Sequence, residues 1–365
     1  MIPVAEVILG EQEKAYVNDC LESGWISSLG KYVPAFEEAF SRFCETRFGV
    51  AASNGTTALH LALEVLGVGP GDEVIIPSLT FVATANAVRY TGATPVFADS
   101  EGETWNMDPE SVRRCLTSRT RGILPVHLYG HPADMEPLLA LAREHGLWVL
   151  EDAAEAHGAR CRGRRVGGLG IMGCFSFYGN KIITTGEGGM IVTNDPTLAE
   201  KAAWLRDHGM SREKRYWHPV VGYNYRMTNI QAAIGLGQLE RIESILARKR
   251  AIAQAYAQRL QGVPGIQPQP EAAWAENVFW MYSVLVDEAV FGLSRDAFMA
   301  ALREREIDSR PFFYPIHTMP PYAQELQLPV AERLARSGVN LPSGLSLTDG
   351  QIAYICETIA SLARG

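Results

Sequence analysis

The sequence predicts an α/β protein, with a large domain built on a mainly parallel central sheet flanked by helices and a smaller α+β domain at the C-terminus. The first observation is that short apolar runs alternate with helix-like segments between about residues 47 and 210. This alternation favours parallel strands joined by crossover helices. The second is the length of 365 residues, which holds one large and one smaller domain at usual domain sizes. The third is a proline-rich break, GVPGIQPQP, after a long helical stretch.

The elements of the large domain follow in order along the chain. The strand-like runs are FGVAA, EVIIP, TPVFAD, GILPVH and LWVLED, and the helix-like segments between them are TTALHLALEVLG, FVATANAVRY, PESVRRCL and MEPLLALAREHG. After Gly55, apolar residues recur at helical spacing until Gly67 supplies a stop. CFSFY and MIVTN then follow each other without a clear helix between them, which predicts one or two added edge strands.

The C-terminal part reads differently. A long helical stretch, NIQAAIGLGQLERIESILARKRAIAQAYAQRL, precedes the proline-rich break, and the strand-like FWMYSVLV and the helix-like RDAFMAALRERE come after it. We therefore expect a large cofactor-binding domain at residues 11–244 and a small domain at 245–365. Residues 1–10 are expected to pack on the small domain.

Composition excludes several classes of protein. The 33 basic and 41 acidic residues give a formal charge of −8, which disfavours nucleic acid and anionic lipid as partners. The N-terminus has no basic region followed by an apolar run, and no segment approaches ~18 uninterrupted apolar residues. We expect a soluble, cytoplasmic protein with no membrane contact. The six cysteines form no C-x-x-C pair, which predicts reduced thiols and no metal site.

Three loops that follow predicted strands carry residues suited to a ligand. Such loops meet at the carboxyl edge of an open α/β sheet, where helix N-termini gather. SNGTT at residues 53–57 suits a phosphate, but it is also typical of an ordinary helix cap. SLTF at 78–81 offers an aromatic ring to a planar ligand, although core packing is the commoner fate of a lone Phe. EDAAE at 151–155 follows a buried strand, so its carboxylates need a cation or a donor such as a pyridinium N–H.

Two other motifs match ligand sites but stand in the wrong context. Residues 168–173 match G-x-G-x-x-G, the dinucleotide fingerprint, yet they follow the charged CRGRRV and lead into a strand instead of a helix. We interpret them as a glycine-rich connector. His127 and His131 are four residues apart, but Gly130 and Pro132 argue against the helix that a zinc motif requires. Both histidines are interpreted as structural or lining residues.

The most specific segment of the chain is SFYGNK, which ends at Lys181 and precedes TTGEGG. A lysine between an aromatic strand and a glycine-rich turn favours a partly desolvated amine, with a pKa lowered toward nucleophilic competence. Composition alone favours the alternative, a solvent-exposed lysine.

At these residues the sequence resembles the nucleotide-sugar aminotransferases of the DegT/StrS type, which belong to the fold type I pyridoxal phosphate enzymes. The resemblance covers nearly the whole chain, from SGWI at residues 23–26 through NYRM at 224–227 to RPFFYP at 310–315. EDAAEAHGA, FSFYGNK and TTGEGGM resemble the perosamine-forming members, which use glutamate to aminate C4 of a GDP-linked 4-keto-6-deoxy sugar. The resemblance implies pyridoxal 5′-phosphate as the cofactor, with glutamate and a nucleotide-linked keto sugar as substrates.

The resemblance also implies a role for each matching residue. Lys181 would hold the cofactor as a Schiff base, and Asp152 would pair with its pyridine nitrogen. Phe81 would stack on the ring, and Glu155, often Gln in relatives, would lie near the ring oxygen. The matching phosphate contacts are Gly55, Thr56, Ser176 and the partner subunit's Asn224. The last contact implies a homodimer with shared sites, although a turn-capping role for this asparagine stays open.

Weaker motif matches supply the substrate contacts. The candidates for binding the sugar or a carboxylate are Trp25, Ser28, Arg226, Tyr314 and His317. The arginine-rich run at residues 160–165 could reach the nucleotide diphosphate, but charge runs are usually solvated, and we favour that interpretation.

Lys181 also separates two activities on this scaffold. The related pyridoxal-dependent sugar 3-dehydratases carry a His in place of this lysine, so the resemblance favours transamination. The implied reaction has two halves, in which glutamate leaves as 2-oxoglutarate and the keto sugar then receives the amino group, with Lys181 moving the proton in both. A noncatalytic sugar-sensing regulator is a further alternative, but the chain shows no DNA-binding segment.

Overall fold

The computed structural model describes residues 1–363, whose strands lie in three sheets. In chain order the strands are β1 (Phe48–Ala52), β2 (Glu73–Pro77), β3 (Thr94–Ala98), β4 (Thr120–Ile123), β5 (Trp148–Asp152), β6 (Arg160–Cys161), β7 (Arg164–Arg165), β8 (Met172–Ser176), β9 (Gly189–Thr193), β10 (Ile266–Pro268), β11 (Ala275–Glu276), β12 (Tyr282–Val286), β13 (Arg310–Pro311) and β14 (Gly338–Leu341).

Helices pack against both faces of the largest sheet. In chain order they are α1 (Glu11–Ser23), α2 (Tyr32–Phe43), α3 (Gly55–Val65), α4 (Ala83–Tyr90), α5 (Pro109–Cys115), α6 (Met135–His145), α7 (Pro196–Arg206), α8 (Asn229–Glu240), α9 (Ile242–Leu260), α10 (Glu288–Phe291), α11 (Arg295–Arg303), α12 (Pro329–Ser337) and α13 (Asp349–Leu362). Within residues 1–363, none of them has the length and apolar composition needed to cross a membrane.

The largest sheet has seven strands in the order β1-β9-β8-β5-β4-β2-β3. The pairs β2–β3, β2–β4, β4–β5 and β5–β8 are parallel, and β9 runs antiparallel to both of its neighbours. The mainly parallel sheet predicted from the alternating pattern is therefore confirmed. All five residues of β2, β8 and β9 are buried, because helices cover both faces of the sheet.

The expected edge position of MIVTN is wrong. Its strand, β9, lies inside the sheet, with Thr193 opposite Phe48 of β1 and Val192 opposite Gly173 of β8. The buried backbone of β9 needs hydrogen-bond partners on both sides. β8 supplies the partners on one side, and β1, from the start of the domain, supplies those on the other. The strand of CFSFY, β8, also lies inside the sheet, and the edge strands are β1 and β3.

Local sequence explains the helix that follows β1. The Asn54 side chain accepts a hydrogen bond from Thr57 N–H at 2.9 Å, which caps the first turn of α3. The face with Ala58, Leu61 and Ala62 packs into the core, as its helical spacing predicts. The predicted long helix near residues 229–260, in contrast, is two helices, α8 and α9, joined at Arg241, whose φ of −116° lies outside the helical range.

The C-terminal region carries its own antiparallel sheet, in the order β10-β12-β14-β13, and a separate cluster of buried side chains from α9, α11 and α13. The N-terminal segment packs here: Ile2 bridges to Ile307, and Ser343 N–H donates to Val4 O at 2.9 Å. The boundary predicted at residue 245 falls inside α9, which is continuous from Ile242 to Leu260.

Candidate active site

The predicted ligand residues gather at the carboxyl edge of the seven-stranded sheet. Asp152 ends β5, Ser176 ends β8, and Gly55 begins the helix that follows β1. These strands lie close together in the sheet, with β9 between β1 and β8. The strand ends therefore bring together residues that stand far apart in the sequence.

Lys181 follows β8 in a tight turn, where its backbone N–H donates to Tyr178 O at 2.9 Å. Its ammonium nitrogen lies 4.0 Å from the centre of the Trp280 ring. Burial lowers the pKa of Lys181, and the nearby carboxylates of Glu155 and Asp152 oppose that shift. The side chain is half-buried, so the alternative of a solvent-exposed lysine is wrong.

Asp152 presents a buried carboxylate. Its Oδ2 accepts a hydrogen bond from the Thr84 hydroxyl at 2.8 Å, and its Oδ1 accepts one from Ala154 N–H at 3.2 Å. Burial raises the pKa of Asp152 in spite of these bonds and of the charge on Lys181. A cationic donor beside the carboxylate would favour its ionised form. Sequence reasoning missed Thr84, because a threonine inside a helix gives no local signal of a partner 68 residues away.

Glu155 lies close to the same lysine. Its Oε2 accepts a hydrogen bond from Tyr129 N–H at 2.8 Å, and its side chain is buried. Burial raises the pKa of Glu155 to about 7, and the charge of Lys181 opposes the rise. Glu155 can therefore hold or release a proton near neutral pH.

The turn before α3 has the geometry of an anion site. The Asn54 side chain accepts a hydrogen bond from the N–H of Thr57, the third residue of the helix. The N–H groups of Gly55 and Thr56 take no part in this cap. A Cβ on Gly55 would come within 2.7 Å of Ser176 Cβ, so only glycine lets the helix start meet the end of β8. The positive end of the helix and a serine hydroxyl thus lie side by side.

An aromatic wall stands beside these groups. Phe81 is 54% exposed, which leaves its ring free to cover a ligand. Its ring centre lies 5.7 Å from that of Phe313, and Phe313 N–H donates to the Tyr129 hydroxyl at 2.9 Å. Tyr129 and Phe313 were not among the predicted site residues, and their only sequence signal is that they are aromatic.

The loop that carries Trp25 and Ser28 is held by one buried asparagine, Asn229. Its side-chain amide donates to Trp25 O at 2.7 Å and accepts from Tyr32 N–H at 2.9 Å, and its backbone N–H donates to Ser27 O at 2.6 Å. Trp25 is 55% exposed, so the loop offers it to a ligand or a partner.

On the segment before α8, Asn224 is exposed and Arg226 is half-buried. The Arg226 guanidinium donates to Asn224 Oδ1 at 3.0 Å and pairs with Asp207 at 2.9 Å. This segment lies beside the phosphate-type turn, because Ser53 N–H donates to Tyr225 O at 2.8 Å.

Tyr314 and His317, which were also predicted to contact the substrate, have different surroundings from Trp25 and Arg226. The Tyr314 ring packs over the Arg295 guanidinium at 5.9 Å, on the side of the C-terminal region. His317 is 2% exposed, and its ring nitrogens lie 2.7 Å from Ser78 Oγ and 3.5 Å from Glu332. This burial argues against direct substrate contact by His317. The ring instead holds the start of the loop that carries the aromatic wall.

The glycine-rich run near residue 170 is a connector, as interpreted from its context. The buried Glu151 carboxylate accepts the backbone N–H groups of Gly167, Leu169 and Gly170, each at 2.7 Å. His127 Nε2 lies 3.1 Å from the same carboxylate. Glu151 therefore holds the connector against β5. Asp152, the next residue in sequence, stands at the end of the strand and belongs to the site instead.

His131 and the arginines of residues 160–165 also make structural contacts. His131 is buried, and its Nε2 accepts from Ala272 N–H at 3.1 Å. Within residues 1–363 no group of three or more His, Cys, Asp or Glu side chains is placed to hold a metal ion. The arginines pair with nearby acids at 2.7 to 2.8 Å: Arg160 with Glu45, Arg162 with Glu136 and Arg165 with Glu243.

This donor set fits pyridoxal phosphate. A buried carboxylate whose ionised form a cationic donor would stabilise suits a pyridinium N–H, the start of α3 suits a phosphate, and an exposed aromatic ring suits a planar heterocycle. Lys181 adds an amine whose pKa is lowered by burial.

Comparisons with known proteins agree with this fit. The chain matches the DegT/DnrJ/EryC1/StrS aminotransferase family over residues 7–360. The GDP-perosamine synthase of Escherichia coli O157:H7 is 47% identical over 98% of this chain and 97% of its own length. That of Caulobacter vibrioides is 49% identical over 98% and 97%. Among solved structures, the aminotransferase TlmJ from Streptoalloteichus hindustanus has a TM-score of 0.94 at 35% identity and covers 99% of this chain and 98% of its own. The chain thus belongs to the DegT/DnrJ/EryC1/StrS family and is a pyridoxal phosphate-dependent aminotransferase with the fold type I architecture.

Proposed function

We propose that the protein transfers the amino group of glutamate to C4 of a GDP-linked 4-keto-6-deoxy sugar, giving an amino sugar such as GDP-perosamine. The observation that carries the proposal is the full-length similarity to relatives named GDP-perosamine synthase, at 44% to 49% identity. The presence of Lys181 at the site supports amino transfer over sugar 3-dehydration or noncatalytic sensing.

Each residue of the site has a part in this reaction. When bound, pyridoxal phosphate would supply an electron sink, and it would carry the amino group between the two half-reactions. Asp152 would hold the pyridine nitrogen through its buried carboxylate, and Thr84 fixes the direction of that carboxylate. Gly55 and Thr56 would bind the phosphate through their N–H groups at the start of α3, with Ser176 beside them.

Lys181 moves the protons. Burial lowers the pKa of the Lys181 amine, which favours the neutral form that can take a proton from the donor carbon and return it. Glu155 lies near this amine with a pKa raised to about 7 by burial, and therefore buffers the charge of the lysine through the cycle.

The proposal includes a cytoplasmic homodimer with shared sites. Residues 25–29 and 216–221 expose large apolar side chains, among them Leu29 at 66% and Val221 at 87%. Exposed apolar patches of this kind mark protein interfaces. Asn224 follows the second of these segments and is exposed, which supports its proposed contact with the phosphate bound by a second copy.

An isotope experiment tests the substrate. The purified protein with cofactor and ¹⁵N-glutamate is mixed in parallel with 4-keto and 3-keto sugars linked to GDP or dTDP, and products are identified by NMR and mass spectrometry. We expect ¹⁵N at C4 of the GDP-linked 4-keto-6-deoxy sugar. A preference for a 3-keto or dTDP-linked sugar would correct the substrate, and no amino sugar from any substrate would refute amino transfer.

A further inference from the structure

Trp280 makes two contacts with the segment of the chain that contains Lys181. The lysine nitrogen lies 4.0 Å from the centre of the indole ring. The indole Nε1–H donates to the backbone oxygen of Asn180, one residue before the lysine, at 2.7 Å. A single side chain from the segment before β12 thus touches both the end of the lysine side chain and the backbone that carries it.

Contacts with α9 and Tyr129 hold Trp280 in place. It is 4% exposed, and its backbone oxygen accepts a hydrogen bond from Lys249 Nζ at 2.8 Å. The same amine donates to Ser343 O at 2.7 Å, so α9 ties Trp280 to the segment after β14. The Tyr129 ring stacks at 6.3 Å from the indole. These contacts leave the indole little freedom to turn away from the lysine.

Burial, two carboxylates and the indole of Trp280 influence the charge on Lys181. Burial lowers its pKa, while Glu155 and Asp152 raise it. Burial, with the charge of Lys181 adding to it, lowers the pKa of His157 to about 3, so this imidazole is neutral at working pH. The indole face of Trp280 carries negative electrostatic potential, which favours the ammonium form of the lysine.

We infer that Trp280 is a positioning residue for Lys181: its ring face holds the free amine and its N–H fixes the adjacent Asn180 carbonyl. The inference rests on the proposed function, because it takes Lys181 as the lysine that binds the cofactor. The lysine must leave the cofactor in each half-reaction and remain close enough to move a proton. Trp280 provides the surface on which the free amine rests, and it opposes part of the lowering of the pKa that burial causes.

The test measures the ionisation of Lys181 in the cofactor-free protein. The amine is acetylated with limiting acetic anhydride across a pH series, and the Lys181 peptide is quantified by mass spectrometry against the exposed Lys14. The variants are Trp280→Leu and Trp280→Phe. The matched control is Trp274→Leu, because the Trp274 ring also covers a cation, the Arg162 guanidinium at 5.1 Å.

We expect the Lys181 midpoint to fall by about one pH unit in Trp280→Leu, by less in Trp280→Phe, which keeps a ring, and not at all in Trp274→Leu. An unchanged midpoint in Trp280→Leu would overturn the inference. If that variant fails to fold, Trp280→Phe decides alone, and a midpoint equal to wild type would then overturn it. Because no cofactor is present, this result is separate from the question of which lysine binds the cofactor.

Discussion

At the scale of single residues, burial decides what the ionisable groups of the site can do. Burial raises the pKa of Asp152 and Glu155 and lowers that of Lys181, so all three move toward their neutral forms. Glu151, although equally buried, accepts three backbone N–H groups and is committed to structure. The two neighbouring acids on this strand thus have different tasks: Glu151 accepts three backbone N–H groups of the connector, whereas Asp152 accepts only the Thr84 hydroxyl and Ala154 N–H and would gain from a cationic donor.

Glu155 gives a prediction about stability and pH. Its pKa rises from 4.5 to about 7 on folding, so the folded protein binds this proton more tightly than the unfolded chain. The resulting stabilisation is complete below pH 4.5 and is lost as the pH rises through 7. Glu155→Gln keeps an acceptor for Tyr129 N–H but no charge. In urea unfolding of the cofactor-free protein at pH 8, we expect the variant to be more stable than wild type by about 3 kcal/mol.

The same comparison at pH 4 should show almost no difference between Glu155→Gln and wild type, since the carboxyl is then protonated in both states. The exposed Glu325→Gln serves as the control for the substitution itself. A difference that is the same at both pH values would show that Glu155 does not resist ionisation in the fold.

At the scale of elements, the site depends on how closely α3 approaches β8. Gly55→Ala would place a methyl group 2.7 Å from Ser176 Cβ and push the start of the helix away from the strand. Overpacking of this kind costs ~1–3 kcal/mol, so we expect the dissociation constant for pyridoxal phosphate to rise about tenfold or more, measured by cofactor absorbance. Gly69→Ala is the control, because nothing lies within 4 Å of its added Cβ. Equal cofactor affinity in both variants would contradict the predicted phosphate site.

The loop at residues 25–32 gives a second prediction at this scale. Asn229→Asp keeps the size of the side chain but removes the amide that donates to Trp25 O. The loop should then shift, while Lys181 and Asp152 stay in place. We expect the glutamate half-reaction, followed by cofactor absorbance without sugar, to stay near wild type, and the KM for the keto sugar to rise about tenfold or more. An equal loss in both half-reactions would exclude a role of this loop in sugar binding.

The elements also show where prediction from sequence succeeds and where it stops. The strand–helix alternation predicted the parallel sheet, and the resemblance at Lys181 and Asp152 predicted which strand ends carry the site. The position of β9 between β1 and β8 was missed, because a short apolar run looks the same at an edge and in the interior. Trp280 was missed because its contact spans 100 residues, and no local pattern records such a contact.

At the scale of the whole molecule, the proposed homodimer makes each site depend on two chains. Lys181→Ala and Asn224→Ala should each be nearly inactive as separate dimers. After the two variants are mixed under conditions that exchange subunits, a hybrid dimer contains one site with both native residues. With random exchange, about a quarter of wild-type activity should return. Mixing two different Lys181 variants is the control, and should restore nothing. If the first mixture also stays inactive, the sites are not shared through Asn224.

The most direct measurement concerns the bond between Lys181 and the cofactor. The holoenzyme is reduced with borohydride, which makes a Schiff base permanent, and is then digested and mapped by mass spectrometry. We expect the cofactor mass on the peptide that contains Lys181, and its loss from that peptide in a sample first converted by glutamate without sugar. Cofactor mass on another lysine, such as the buried Lys249, or on none, would contradict the assignment of Lys181 on which the proposed reaction depends.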